Sequence, residues 1–169
     1  LSFADRISAK APGSASDEEK MEASAVRILA LRSHTRSELR KKLRGRKFPH
    51  DEIEALLERF TRSGYLDDTA AARNWARRRL RARSMGTRSM VQELRGIGAS
   101  DEIIEETIAE AYGEEGEIEH ARRAAGKRLK GLEGKDKLRE RLLRFLMGRG
   151  FAPGVCFQVA DEILGPKGL

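Results

Sequence analysis

Between Arg73 and Arg88 stand seven arginines, at positions 73, 77, 78, 79, 81, 83 and 88, with no carboxylate among them. On a helix, Arg73, Arg77 and Arg81 fall at i, i+4 and i+8, stacked in one row on the side away from Ala72, Ala76 and Leu80. Like charges so stacked repel by about a few tenths of a kcal/mol per pair. A bound anion or an acidic protein face relieves that repulsion, whereas the plainer reading is a solvated helix face. A second basic stretch, Arg36, Arg40, Lys41, Lys42, Arg44, Arg46 and Lys47, surrounds Leu39 and Leu43. Lys127 and Arg128 supply a third. Such side chains suit phosphate contact, which positions a nucleic acid without reading its sequence. The residues singled out as a binding surface are therefore Arg73, Arg77 and Arg81 first, then Arg40, Lys41 and Arg44, then Lys127 and Arg128.

Other chemistry is poorly supplied. Trp75 could stack on a base, but its neighbours Ala72 and Ala76 place it on an apolar face, so burial is expected. Cys156, beside Val155, Phe157 and Val159, reads as a small core residue and not a nucleophile. Asp67 and Asp68 form a carboxylate pair, yet Asp67 stands where a helix begins and capping is the expected role. His34, His50 and His120 are too scattered for metal-ligand spacing, and the lone cysteine forms no internal disulfide. No glycine-rich phosphate loop of the GxxxxGK[ST] type occurs, and no Ser, His or Cys has a recognisable nucleophile setting. No enzyme activity, metal or cofactor is expected.

The elements that must hold these residues are all helical. Apolar residues recur at helical spacing from Met21 onward, no run alternates as a half-buried strand does, and β-branched residues are scarce. Thr35 and Glu38 have capping-box spacing. Pro49 suits the first turn of a helix carrying Ile53, Leu56, Leu57 and Phe60. Asp67 caps a helix to about Arg83, Gly86-Thr87 opens one bearing Met90, Val91 and Leu94, and Ser100 caps an acidic helix to Tyr112. Three more segments follow, near 117–130, 135–148 and 153–164. Aligning Leu39-x-x-x-Leu43 with Met90-x-x-x-Leu94 and Leu142-x-x-x-Leu146 gives offsets of 51 and 52 residues. The pattern predicts three tandem three-helix, helix-turn-helix-like repeats, 21–66, 67–113 and 114–169, after a disordered tail over 1–20. Each repeat is too small to be comfortable alone, so an elongated arrangement of mutually supporting units is expected.

Composition is consistent with association. Of 169 residues, 36% are charged and 5% aromatic, and the net charge is +7. Residues 20–95 hold 20 bases against 9 acids, 101–119 hold nine acids and no base, and 120–149 hold 11 bases against 3 acids. This basic-acidic-basic order points to an anionic partner. No run is apolar and long enough to span a bilayer, so a cytoplasmic protein without a membrane partner is expected. With no heptad seam in the pattern, a monomer is the expectation.

The order Ala25-x-x-Ile28-Leu29-Ala30-Leu31-Arg32, Thr35-Arg36-Ser37-Glu38-Leu39-Arg40-x-Lys42-Leu43 and Gly64-Tyr65-Leu66-Asp67-Asp68 resembles the RecX family of bacterial regulatory proteins. The likeness continues through Gly86, Glu93-Leu94-Arg95-Gly96-Ile97, Leu142 to Leu146 and Gly150-Phe151, and so spans Met21 to Leu164. One departure is Ala71-Ala72, where the family usually has Phe-Ala. The resemblance implies an all-α, elongated, curved array of three-helix repeats. It also implies a modulator of the RecA recombinase, mainly an inhibitor, that binds the RecA filament on single-stranded DNA and restrains strand exchange, ATP hydrolysis and stimulated LexA cleavage. DNA binding, directly or through the filament, is implied as well, with roles in DNA repair and the SOS response. The basic residues named above rest on charge placement, since the family motif marks packing and turns. A helix-turn-helix-like DNA-binding protein and a purely structural helical adaptor for an acidic protein are the alternative readings.

Overall fold

A computed structural model describes residues 16–113, 116–131 and 137–165. Among them lie nine α-helices: α1 Asp17–Leu31, α2 Arg36–Gly45, α3 His50–Arg62, α4 Asp68–Ala82, α5 Thr87–Gly96, α6 Asp101–Tyr112, α7 Gly116–Leu129, α8 Leu138–Gly148 and α9 Pro153–Leu164. The all-helical class and the three-helix groupings agree with the expectation. The described residues divide into two compact units, residues up to His34 with Glu38–Leu66, and Thr35–Ser37 with Asp67 onward.

The first helix corrects one expectation. Asp17–Lys20, read from sequence as the end of a disordered tail, are helical. The Ser16 hydroxyl accepts the Glu19 amide at 3.2 Å and the Glu19 carboxylate accepts the Ser16 amide at 2.9 Å, a reciprocal capping box. The remainder of the expected tail, 1–15, lies outside the described residues.

In the first unit, Met21, Ala25 and Ile28 of α1 meet Leu39 and Leu43 of α2 and Ile53, Leu56, Leu57 and Phe60 of α3 in one apolar core. Burying each of the larger side chains contributes about 1.5–3 kcal/mol. Pro49 stands one place before α3 as its N-cap and not within its first turn.

The second unit contains two apolar clusters. Ala72, Ala76, Met85, Met90, Leu94, Ile97, Ile104 and Tyr112 form one, drawn from α4, α5, α6 and the turns between them. Ala121, Ala124, Ala125, Leu142, Leu146, Phe151, Cys156, Val159 and Ala160 form the other, from α7, α8, α9 and the turn between the last two. The clusters are bridged by backbone. Gly86 donates its N–H to the Arg149 carbonyl at 2.9 Å, and Arg88 donates to the Gly150 carbonyl at 3.2 Å. A Cβ on Gly86 would fall 2.2 Å from the Gly150 oxygen, and one on Gly150, whose φ is +78°, would fall 2.2 Å from the Ser89 hydroxyl. Glu117 completes the junction by accepting the Thr87 amide at 2.7 Å, the Thr87 hydroxyl at 3.1 Å and the Ala152 amide at 3.3 Å. One carboxylate thereby satisfies orphan donors at the starts of α5 and α9. The pairing of Ser89 with Gly150 has a counterpart 52 residues earlier in the same unit, where a Cβ on Gly98 would fall 2.3 Å from the Ser37 Cβ.

Candidate anion-binding cleft

Small residues set the site. The buried face of α4 is Ala71, Ala72 and Ala76, and that of α7 is Ala121, Ala124 and Ala125. Alanine faces let helix axes approach closely, so the long basic side chains at their margins become walls of a groove. At the departure from the family pattern, Ala71 and Ala72 are both buried.

The groove is a cleft of about 550 Å³ between α4, α6 and α7. Arg73, Arg77, Arg81 and Arg83 come from α4 and its C-cap, Thr107 and Glu110 from α6, and His120, Arg123 and Lys127 from α7. Six cations thus face one carboxylate in the lining. Asp67 begins α4 by accepting the Ala70 amide at 2.8 Å, and Ser100 begins α6 by accepting the Ile103 amide at 3.3 Å, both in the capping roles expected of them. Asp68 accepts the Arg36 amide at 2.6 Å.

The arginines of α4 are not equivalent. Arg73 Nε lies 2.7 Å from Glu110 Oε2, and its guanidinium lies 3.8 Å from Glu106. The Nε contact is an ion pair without hydrogen-bond alignment, because the same buried Nε has no hydrogen-bond partner. The acidic helix is therefore a local counter-ion for the first member of the row. Arg77 and Arg81 are exposed in the cleft. On the neighbouring face Glu93 accepts Trp75 Nε1–H at 3.0 Å and pairs with Arg79 at 2.5 Å and Arg83 at 3.2 Å. Arg78 and Arg79 lie 5.2 and 5.0 Å from the Trp75 ring centroid. That indole is half-buried and serves as a cationic platform of the fold.

On α7, Lys127 enters the cleft, as does Arg123, which donates to His120 Nδ1 at 3.2 Å. The His120 ring meets Tyr112 edge-on at 4.9 Å. Tyr112 donates its hydroxyl to the Met85 carbonyl at 3.0 Å, and burial first, then Glu117 and Glu93, hold that phenol well above its ordinary pKa. It ties the end of α6 to the segment before α5.

The eight residues named from sequence are thus divided. Arg73, Arg77, Arg81 and Lys127 share the cleft. Arg128 lies outside its lining, with its guanidinium 5.3 Å from the Phe145 ring centroid. Arg40, in the first unit, donates to Glu54 at 2.8 Å and ties α2 to α3. Lys41 and Arg44 are exposed in that same unit. Sequence reasoning missed Arg83, Arg123, His120, Thr107 and Glu110. The signal for Arg123 was present, because it precedes Lys127 by four residues and lies off the alanine face. Thr107 was marked too, as a hydroxyl in the buried stripe of α6 three residues after Ile104.

Cys156 is fully buried, and desolvation, with the charge of Glu117, pushes its thiol up to about 11. No group of three His, Cys, Asp or Glu side chains among the described residues is placed to hold a metal ion. No helix among them is long and apolar enough to cross a membrane.

Comparison with known proteins adds identity. The family model for the first three-helix domain of RecX matches residues 23–60, and that for the third three-helix domain matches 115–159. The regulatory protein RecX of Prosthecochloris aestuarii is 36% identical over 150 residues, covering 88% of this chain and 97% of the relative. The RecX of Thermus thermophilus is 39% identical, covering 79% of this chain and 85% of its own. The crystal structure of RecX from Lactobacillus salivarius shares the fold, with a TM-score of 0.74 at 19% identity over 87% of this chain and 96% of that one. Because the sequence match runs through nearly the full length of a relative, and family models recognise three-helix domains in both parts of the chain, the protein belongs to the RecX family of regulatory proteins.

Proposed function

We propose that this protein regulates the RecA recombinase by binding the RecA filament on single-stranded DNA, mainly restraining it. The observation that carries this reading is the 36% identity to a RecX relative over 88% of the chain. RecX proteins resemble one another in sequence and repeat pattern, and modulation of RecA in DNA repair and the SOS response is the property that the resemblance brings. The basic cleft supports it physically. A surface with six cations around one carboxylate attracts a polyanionic assembly over distances near the Debye length, about 8 Å at physiological salt. Several three-helix units contacting neighbouring protomers raise the effective concentration of each contact, so modest individual affinities give firm filament binding. Catalysis has no part in this role, and the protein acts as a monomer in the cytoplasm.

The test is RecA-dependent ATP hydrolysis on single-stranded DNA, titrated with this protein. Inhibition is the expected result. Inhibition well below one molecule per RecA protomer would assign it to capping of filament ends, and inhibition needing near parity would assign it to coverage of the groove. Unchanged hydrolysis with unchanged filament length would contradict the reading.

A further inference from the structure

Two helix starts in the second unit have no cap of their own. The residues before α5 and α9 are Gly86 and Ala152, and neither gives the first turn a side-chain hydrogen bond. A single oxygen on a third helix serves both. Glu117 Oε1, in the first turn of α7, accepts the Thr87 amide at 2.7 Å, the Thr87 hydroxyl at 3.1 Å and the Ala152 amide at 3.3 Å. These helices come from both apolar clusters, α5 from one and α7 and α9 from the other. The electrostatics agree with a seat between the two. After burial, the charge of Glu117 is the next cause that raises both the Tyr112 phenol in one cluster and the Cys156 thiol in the other.

The same joint occurs twice within the second unit. Arg36, which opens α2 and stands 51 residues before Thr87, donates its amide to Asp68, the first residue of α4, at 2.6 Å. In both joints a serine just beyond the capped amide faces a left-handed glycine. A Cβ on Gly98, at φ +80°, would fall 2.3 Å from Ser37, and one on Gly150, at φ +78°, would fall 2.2 Å from Ser89. So close a backbone approach fixes two segments at one point, and the carboxylate brings a further helix to it. Recurrence at the repeat period marks the joint as a working part of the array.

We propose that Glu117 is a positioning residue. It holds α7 at the joint of α5 with the turn before α9, and so sets the separation of two cation rows, Arg77 and Arg81 on α4 against Arg123 and Lys127 on α7. Without it, two helix-start amides lose their acceptor and recruit water, which widens the joint. Helix α7 then carries Arg123 and Lys127 away from α4. The clip needs reach and an acceptor oxygen, not charge. That its loss weakens filament binding rests on the regulatory reading above.

The experiment places spin labels on the full chain at Ala82→Cys, on α4, and Gly126→Cys, on α7, both exposed, while buried Cys156 stays unlabelled. Pulsed electron spin resonance reads their separation without RecA, and co-sedimentation reads retention on RecA filaments. Glu117→Gln keeps the acceptor oxygen and loses the charge. Glu117→Asp keeps the charge and is one methylene too short to serve both helix starts. The glutamine variant should keep the wild-type separation and retention. The aspartate and alanine variants should give a longer, broader separation and lose most of their retention, with cooperative melting showing that they are folded. Glu117→Asp is the milder change and carries the test should Glu117→Ala not fold. Aspartate behaving as wild type while glutamine behaves as alanine would overturn the proposal, and so would a wild-type separation in both shortened variants. A displaced α7 with wild-type retention and inhibition would overturn its part in the filament contact. Failure of the wild type itself to bind filaments would count against the regulatory reading alone, because the separation is read without RecA.

Discussion

Arg73 and Arg77 stand one helical turn apart on α4, yet only Arg73 meets carboxylates, those of Glu106 and Glu110. The stacked row was legible in residue type and spacing, because a period of four is a property of the helix alone. Its partial neutralisation was not, because α6 is brought alongside by tertiary packing. Arg40 teaches the same point, since its pair with Glu54 crosses from α2 to α3. Cys156 was legible from its apolar neighbours. With its thiol held up near 11 and no exposure, it should react with a thiol reagent at pH 8 only after denaturation. Rapid reaction of the native protein would contradict that burial. His34 gives a pH prediction. Burial holds its pKa below the ordinary 6.5, against the opposing effect of its 2.8 Å bond to the Arg32 carbonyl. The unfolded chain therefore binds a proton more readily, and stability falls as pH drops through about 6.5 toward the folded value. Melting temperature should be lower at pH 5.5 than at pH 7.5, and His34→Gln should flatten part of that difference. An identical profile in the variant would place the titration elsewhere.

At the scale of elements, helix starts were legible where a capping side chain preceded an apolar stripe, as at Asp67 and Ser100. The same signal at Ser16 and Glu19 follows a stretch with Pro12, Gly13 and no sustained apolar period, so in sequence it is indistinguishable from the end of a tail. The junction of α5 and α9 was not legible. A glycine needed for close approach resembles any helix-ending glycine until its neighbour is known. Gly86→Ala should cost about 3 kcal/mol, since its Cβ meets the Gly150–Phe151 backbone at 2.2 Å and neither backbone segment can yield. Gly126→Ala, within α7 with nothing inside 4 Å, should stabilise by about 0.5–1 kcal/mol. Denaturant unfolding of the two variants checks the contrast, and a similar effect from both would refute the close approach.

Across the whole molecule, the net charge of +7 conceals a division of labour. Acids of α6 and Glu93 hold some arginines in place, while Arg77, Arg81 and Lys127 face the cleft without a carboxylate partner among the described residues. The order basic-acidic-basic was readable along the chain, but which bases remained for a partner depended on which helices became neighbours. Charge reversal at Arg73 would set three carboxylates together and disturb the fold, so Arg77 and Arg81 give the cleaner test. The decisive measurement is co-sedimentation of Arg77→Glu/Arg81→Glu with RecA filaments on single-stranded DNA at physiological salt, beside the wild type and with matched melting temperatures. Retention should fall at least tenfold in the double variant, with RecA ATP hydrolysis released from inhibition; binding and inhibition equal to the wild type would contradict the assignment of the cleft as the contact surface.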